Sequence, residues 1–315
     1  MQGFLFMIFI IFSPDFEHLF WLKFTVALGT IRTKPTKAMK KILIPTDFSS
    51  CANAAVDYGF AIAKKLQSEL LFLHIVITPV DWSKLRKDQE ELFPETKERI
   101  ALAKKELTDL VKRAESEGLS AKKLLVFYDG NEKIHHYVKS EKIDLVIMGS
   151  HGQYGFKEHV LGTNTYSMIR RSEVPVIIVK ENNPKKDLQT IVFATNFKEE
   201  TGKSFQEVER LAESLKAKLK VLFVNTPTYF LETDDIYHVG KEYLKTFASY
   251  NHEIEIYDAF KEERGIIQYA AKISGDGIAA ITYGKSDLMQ YFSPSITENL
   301  IAMTELPVIS IRVKK

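Results

Sequence analysis

The chain has 315 residues, 45% hydrophobic and 27% charged, which is the composition of an ordinary globular protein with room for about two domains. A net charge of +2 gives no electrostatic case for a nucleic acid or a membrane surface as partner. The single cysteine, Cys51, excludes an internal disulfide framework and fits a reducing compartment, so a cytoplasmic location is expected.

Residues 4–12, FLFMIFIIF, are apolar throughout but fall well short of the about 20 residues that a spanning helix needs. No basic residue precedes them, as a secretory signal would require. A well-patterned strand begins directly after Met39, in MKKILIPTDFSS. Residues 1–38 are therefore expected to be an extension outside the fold, ahead of the true start, with membrane attachment the less favoured reading. From there, apolar runs at Ile42–Ile44, Leu70–Ile77, Lys123–Phe127, Leu145–Met148 and Val176–Val179 predict strands. Helical patterns lie between them, at Ala52–Leu66, Glu95–Glu117, Lys133–Ser140 and about Asn164–Arg171.

The pattern then starts again. Lys40–Val76 and Gln189–Asn225 each read as apolar strand, short polar turn, amphipathic helix and second apolar strand. VPVIIVK (Val174–Lys180) and LPVISIR (Leu306–Arg312) lie 132 residues apart, and the polar ENNPKKD (Glu181–Asp187) between the copies suits a linker. The expected organisation is an extension over 1–38, a first domain over 39–180, a linker over 181–188 and a second domain over 189–315. Strands too apolar to have a wet face, alternating with helices, indicate an α/β fold of two tandem Rossmann-like domains. Each would be a five-stranded, mostly parallel sheet flanked by helices. Such sheets take ligands beyond the carboxyl ends of their strands.

The glycines of DLVIMGSHGQYGFKEHVLGT fall at that edge. Gly149 follows a strand, where a missing side chain would let a ligand approach the backbone. Gly152 keeps the loop open, and Gly162-Thr163 precede a helix whose first N–H groups and partial positive charge suit a phosphate. The Thr163 hydroxyl is free to cap that helix or to reach a phosphate oxygen. Read blandly, these are turn glycines and a cap. Asp47 ends the first strand at the same edge, either as an N-cap in competition with Ser49 and Ser50 or as a carboxylate meeting a ribose or a divalent ion. The second repeat has Asn196 there, which caps equally well without the charge.

These residues resemble the universal stress protein family. ILIPTDFS is similar to that family's first strand, and Gly149-x2-Gly152-x9-Gly162-Thr163 matches its nucleotide-binding pattern G-x2-G-x9-G-[S/T]. The likeness spans Met39 to Val313. It implies dimeric packing and, in members with this pattern, ATP binding, with Asp47 near the ribose and Ile75 near the adenine; magnesium would be a companion of ATP. The second repeat departs from the pattern: Ile281 replaces the first glycine, Gly284 keeps the second, and Pro294-Ser295 replace Gly-Thr. Pro294 lacks an N–H and Ile281 places a branched side chain where the ligand is expected, so one nucleotide per chain is expected.

Gly284-Lys285-Ser286 lacks the upstream glycine of a P-loop, and His135-His136 has no third ligand at metal spacing. Two functional classes remain. One is a regulatory protein in which ATP alters the choice of an unknown protein partner; the other is a slow ATP hydrolase or phosphotransferase using the same site, with His151, Gln153 and Lys157 as its only loop candidates. The apolar last strands, PVIIV and PVISI, are expected to pair within the chain as an intrachain pseudo-dimer, since an open apolar edge invites aggregation; a further homodimer is open.

Overall fold

The computed structural model describes residues 38–128, 133–151, 161–183, 187–283 and 295–313. The expectations for residues 1–37 and for Gly152, Gln153, Lys157, Pro184, Gly284 and Pro294 lie outside these. The first repeat forms β1 (Lys41–Pro45), α1 (Ser50–Leu66), β2 (Glu69–Ile77), α2 (Pro94–Ser116) and β3 (Ala121–Tyr128). It continues with α3 (Ile134–Ser140), β4 (Leu145–Gly149), α4 (Thr163–Arg171) and β5 (Val176–Val179). The second repeat forms β6 (Thr190–Ala194), α5 (Gly202–Ser214), β7 (Lys218–Asn225), α6 (Thr233–Phe247) and β8 (Ile254–Asp258). It ends with α7 (Glu262–Lys272), β9 (Gly277–Thr282), α8 (Ile296–Met303) and β10 (Val308–Arg312).

The strands make one ten-stranded sheet in the order β3-β2-β1-β4-β5-β10-β9-β6-β7-β8. All pairings within a repeat are parallel. The two halves meet at β5 and β10, which pair antiparallel with Ile177 opposite Ile309. Alternate residues of each strand enter opposite cores, as the pleat requires. Ile42, Ile44, Leu145, Ile147, Ile177 and Ile309 share one core; Leu43, Val146, Met148, Val176, Ile178 and Val308 share the other. Burying each such side chain contributes about 1.5–3 kcal/mol. Both cores run through both repeats, so the halves share their interior rather than touching at a surface. Met39 is already buried and Leu188, directly after the polar ENNPKKD, is wholly so.

The duplication is visible in the backbone itself. Non-glycine residues at positive φ come in matching pairs: Phe48 (63°) with Phe197 (56°), Gln67 (54°) with Lys216 (52°), and Lys142 (55°) with Ser274 (53°). In the first pair the turn is held alike, Thr46 Oγ1 accepting from Phe48 N and Thr195 Oγ1 from Phe197 N, each at 3.0 Å. Asp144 accepts from the amides of Lys40 and Lys41, and Asp276 from those of Gln189 and Thr190. Each carboxylate thereby ties the loop before β4 or β9 to the start of β1 or β6.

Candidate nucleotide site

The carboxyl ends of β1, β2 and β4 open on one edge of the first repeat. A cleft of about 410 Å³ lies there, lined by Ile75 and Ile77 of β2, Lys133 and Ile134 at the start of α3, and one face of α4 from Thr163 to Arg171. Ile75 and Thr163 are thus brought to the same cavity. Thr163, Tyr166, Ser167, Arg170 and Arg171 all line it because residues three, four and seven apart share a helix face.

Gly162 is the N-cap of α4, and among the described residues no side chain caps this helix. Thr163 is the first helical residue and is exposed, so its hydroxyl does not serve as the cap. Thr165 instead turns inward and donates its hydroxyl to the Gly149 carbonyl at 2.9 Å. The first turn of α4 holds no acidic residue and its last turn holds Arg170 and Arg171. Among the described residues, no acidic side chain of this helix compensates its N-terminal partial charge.

The corresponding end of α8 differs. Ser295 Oγ accepts from Glu298 N at 3.2 Å, and Ser295 N reaches back toward Glu298 Oε2 at 3.5 Å, which is a capping box. That helix start is occupied by its own carboxylate. Glu298 also accepts from Arg170 Nε at 3.2 Å and Nη2 at 2.8 Å, across the repeat boundary. The pair is nearly withdrawn from solvent, with side chains 10% and 12% exposed, and the guanidinium sits 4.0 Å above the Tyr166 ring. Arg170 Nη1 is buried with no hydrogen-bond partner among the described residues. Sequence spacing alone missed both residues, although Ser-x-x-Glu was readable as a cap and Arg170 as seven positions beyond Thr163.

Asp47 follows β1, half-buried, and its Oδ1 accepts from Ser49 N at 3.1 Å. The N-cap of α1 is Ser49, whose side chain accepts from Ala52 N at 3.2 Å, so Asp47 is free of the capping task. His74 Nδ1 lies 2.7 Å from the Thr46 carbonyl and its ring 4.6 Å from that of Phe48, which braces the Asp47 turn. Burial, above all, pulls the His74 imidazole below the usual histidine range, against the opposing effects of the Thr46 carbonyl and the Asp47 charge.

Gly149 ends β4 with its missing side chain toward α1 rather than toward the cleft. A Cβ there would lie 2.8 Å from Cys51 Sγ and 3.1 Å from the Cys51 carbonyl. The close approach at this glycine is made by α1. In the second repeat the matching helix starts later, at Gly202, after a 3-10 turn over Glu199–Thr201, and Ile281 packs against the core on that face. Among the described residues no group of His, Cys, Asp and Glu is arranged to hold a metal ion. None of their helices is long and apolar enough to cross a membrane.

An apolar wall at one end and an uncompensated helix start at the other suit a ligand with a flat apolar part and an anionic tail. Comparison with known proteins identifies the family. The model of the universal stress protein family matches residues 39–180. Universal stress protein MJ0577 of Methanocaldococcus jannaschii is 33% identical over 156 residues, covering 46% of this chain and 96% of that protein. Universal stress protein YxiE of Bacillus subtilis is 27% identical over 148 residues, 44% of this chain and 98% of its own length. The crystal structure of a universal stress protein from Archaeoglobus fulgidus follows the fold over 88% of this chain and 99% of its own, with a TM-score of 0.66 at 18% identity. The chain belongs to the universal stress protein family.

Proposed function

We propose that the first repeat binds an adenine nucleotide, ATP in the first instance, and that occupancy regulates a protein partner in the cytoplasm. Ile75 would contact the adenine, Asp47 the ribose hydroxyls, and Gly162, Thr163 and the Gly149–Gly152 loop the phosphates, with or without magnesium. The observation that carries this reading is the start of α4, which has neither a side-chain cap nor an acidic residue and borders a cleft walled by Ile75. The second repeat, whose α8 is closed by Ser295 and Glu298, would serve as its structural and regulatory half. The antiparallel β5–β10 pairing supports describing the chain as an intrachain pseudo-dimer of domains 39–180 and 189–315. Slow ATP hydrolysis or phosphotransfer is the second reading; His151, whose Nδ1 is 3.0 Å from Ser150 Oγ, is its described candidate.

Calorimetric titration with ATP tests the binding reading. The wild-type chain is expected to bind at about micromolar strength, near −8 kcal/mol. Gly162→Val, which puts a branched side chain at the helix entrance, is expected to fold and to lose most of that affinity. An unchanged titration in the folded variant would remove Gly162 and the helix start from the site.

A further inference from the structure

The carboxyl edge of the second repeat is built differently from that of the first, and its chemistry points to a different ligand. Strands β6, β7, β8 and β9 are parallel neighbours, so the segments that follow them emerge on one edge. Large apolar side chains stand out from it: Tyr229 is 79% exposed, Phe230 67% and Phe260 84%. Isolated exposed hydrophobic residues need no explanation, but a contiguous set marks an interaction site.

These three belong together because one residue ties their loops. Asn225, buried at the end of β7, donates from Nδ2 to the Leu231 carbonyl at 3.2 Å and accepts from Leu231 N at 3.1 Å. Its own carbonyl accepts from Ala259 N at 3.0 Å, immediately before Phe260. The turn bearing Tyr229 and Phe230 and the turn bearing Phe260 are thereby held side by side. Tyr283, which follows β9 and is exposed, extends the edge, with Lys198 Nζ 5.9 Å from its ring centroid.

Charge gives the sign of the partner. In the first repeat α1, α3 and α4 carry no acidic residue in their first turns. At the matching places of the second repeat, the 3-10 turn before α5 carries Glu199 and Glu200 and α7 begins with Glu262 and Glu263, while Glu298 of α8 is already engaged by Arg170. Asp234 and Asp235 open α6 beside the exposed aromatic turn. Duplication has left one edge receptive to anions and the other rimmed with carboxylates.

We propose that the second repeat's carboxyl edge docks a basic segment of a partner protein, with an aliphatic or aromatic anchor seated among Tyr229, Phe230 and Phe260 and flanking Lys or Arg side chains against the acidic helix starts. Such segments gain from both terms, since a cation attracts carboxylates and aromatic faces alike. The partner would act through a surface distinct from the nucleotide cleft, and the assignment does not depend on nucleotide binding.

Fluorescence anisotropy on the full chain tests this with three labelled synthetic peptides: alternating lysine and leucine, alternating glutamate and leucine, and alternating lysine and serine. The lysine–leucine peptide is expected to bind at least tenfold more tightly than the other two. Phe230→Ser with Phe260→Ser should weaken it at least tenfold without changing thermal unfolding, because both side chains lie outside the core. Asp234→Lys with Asp235→Lys should do the same. Equal binding by both double variants, or equal binding of the glutamate–leucine peptide, would overturn the proposal. So would a wild-type dimer in sedimentation velocity that becomes a monomer on Phe230→Ser with Phe260→Ser, which would show that a second copy covers the edge.

Discussion

Ile177 and Ile309 hold the same position in their respective repeats, 132 residues apart, and face each other across the antiparallel pairing of β5 with β10. A residue that meets its own counterpart marks a local two-fold axis, and here it falls in the middle of the sheet. Each repeat's last strand thus covers the other's open edge. A fragment ending after β5, residues 39–180, would expose that edge with its VIIV face intact. It is expected to self-associate, and light scattering that finds a stable monomer at high concentration would contradict this.

Capping and ligand contact are separable in the β1–α1 turn. Ser49 caps α1, so Ser49→Ala should cost about 1 kcal/mol of stability and leave nucleotide affinity nearly unchanged. Asp47→Asn keeps an acceptor for Ser49 N and removes the charge; stability should change by less than about 1 kcal/mol while affinity falls. Thermal unfolding and ATP titration of the two variants would show this crossed pattern. A collapse in stability with affinity retained in Asp47→Asn would make Asp47 structural.

Gly149→Ala is expected to destabilise by about 1–3 kcal/mol, the range for an overpacked core, since the new methyl would meet Cys51. Adding Cys51→Ala should recover only part of the loss, because the Cys51 carbonyl remains at 3.1 Å. Denaturant melts of the two single variants and the double variant measure the coupling. Additive losses would show that the two residues do not oppose each other.

His74 should make the fold weaker in acid. Its imidazole titrates below the ordinary range when folded, so unfolding takes up a proton once the pH falls below the unfolded value of about 6.5. Stability from this group is complete above that pH and declines as the pH drops through it toward the lowered folded value. His74→Asn retains a donor for the Thr46 carbonyl without titrating. The fall in melting temperature between about pH 7.5 and about pH 5 should be smaller in this variant than in the wild type; an equal fall would assign the acid sensitivity elsewhere.

Much of this arrangement was legible because it is local. Val176–Val179 shows as an unbroken apolar run, and the punctuation falls where the chain must turn, Asp47 and Gly149 at strand ends and Gly162 at a helix start. The register of the repeats' last strands followed from PVIIV and PVISI, and the backbone pair at Lys142 and Ser274, the same distance apart, agrees with it. What stayed hidden is side-chain contact between distant segments. No periodicity tells that Cys51 occupies the space beside Gly149, or that Arg170 crosses to Glu298, 128 positions away. The later start of α5 depends on how a helix seats on the sheet and has no local signature.

The central claim is that one repeat binds and the other does not. The α4 start lacks a cap and an acid, whereas α8 carries both, and Asn196 replaces the carboxylate at the end of β6. Losses of about 1–2 kcal/mol for each missing helix-end contact or hydrogen bond accumulate to several kcal/mol, enough to turn a micromolar site into a millimolar one. Equilibrium dialysis of the full chain against labelled ATP measures this directly. Saturation near one nucleotide per chain, lost in Gly162→Val, is the expected result; two equivalent sites per chain, or no saturable binding, would contradict it.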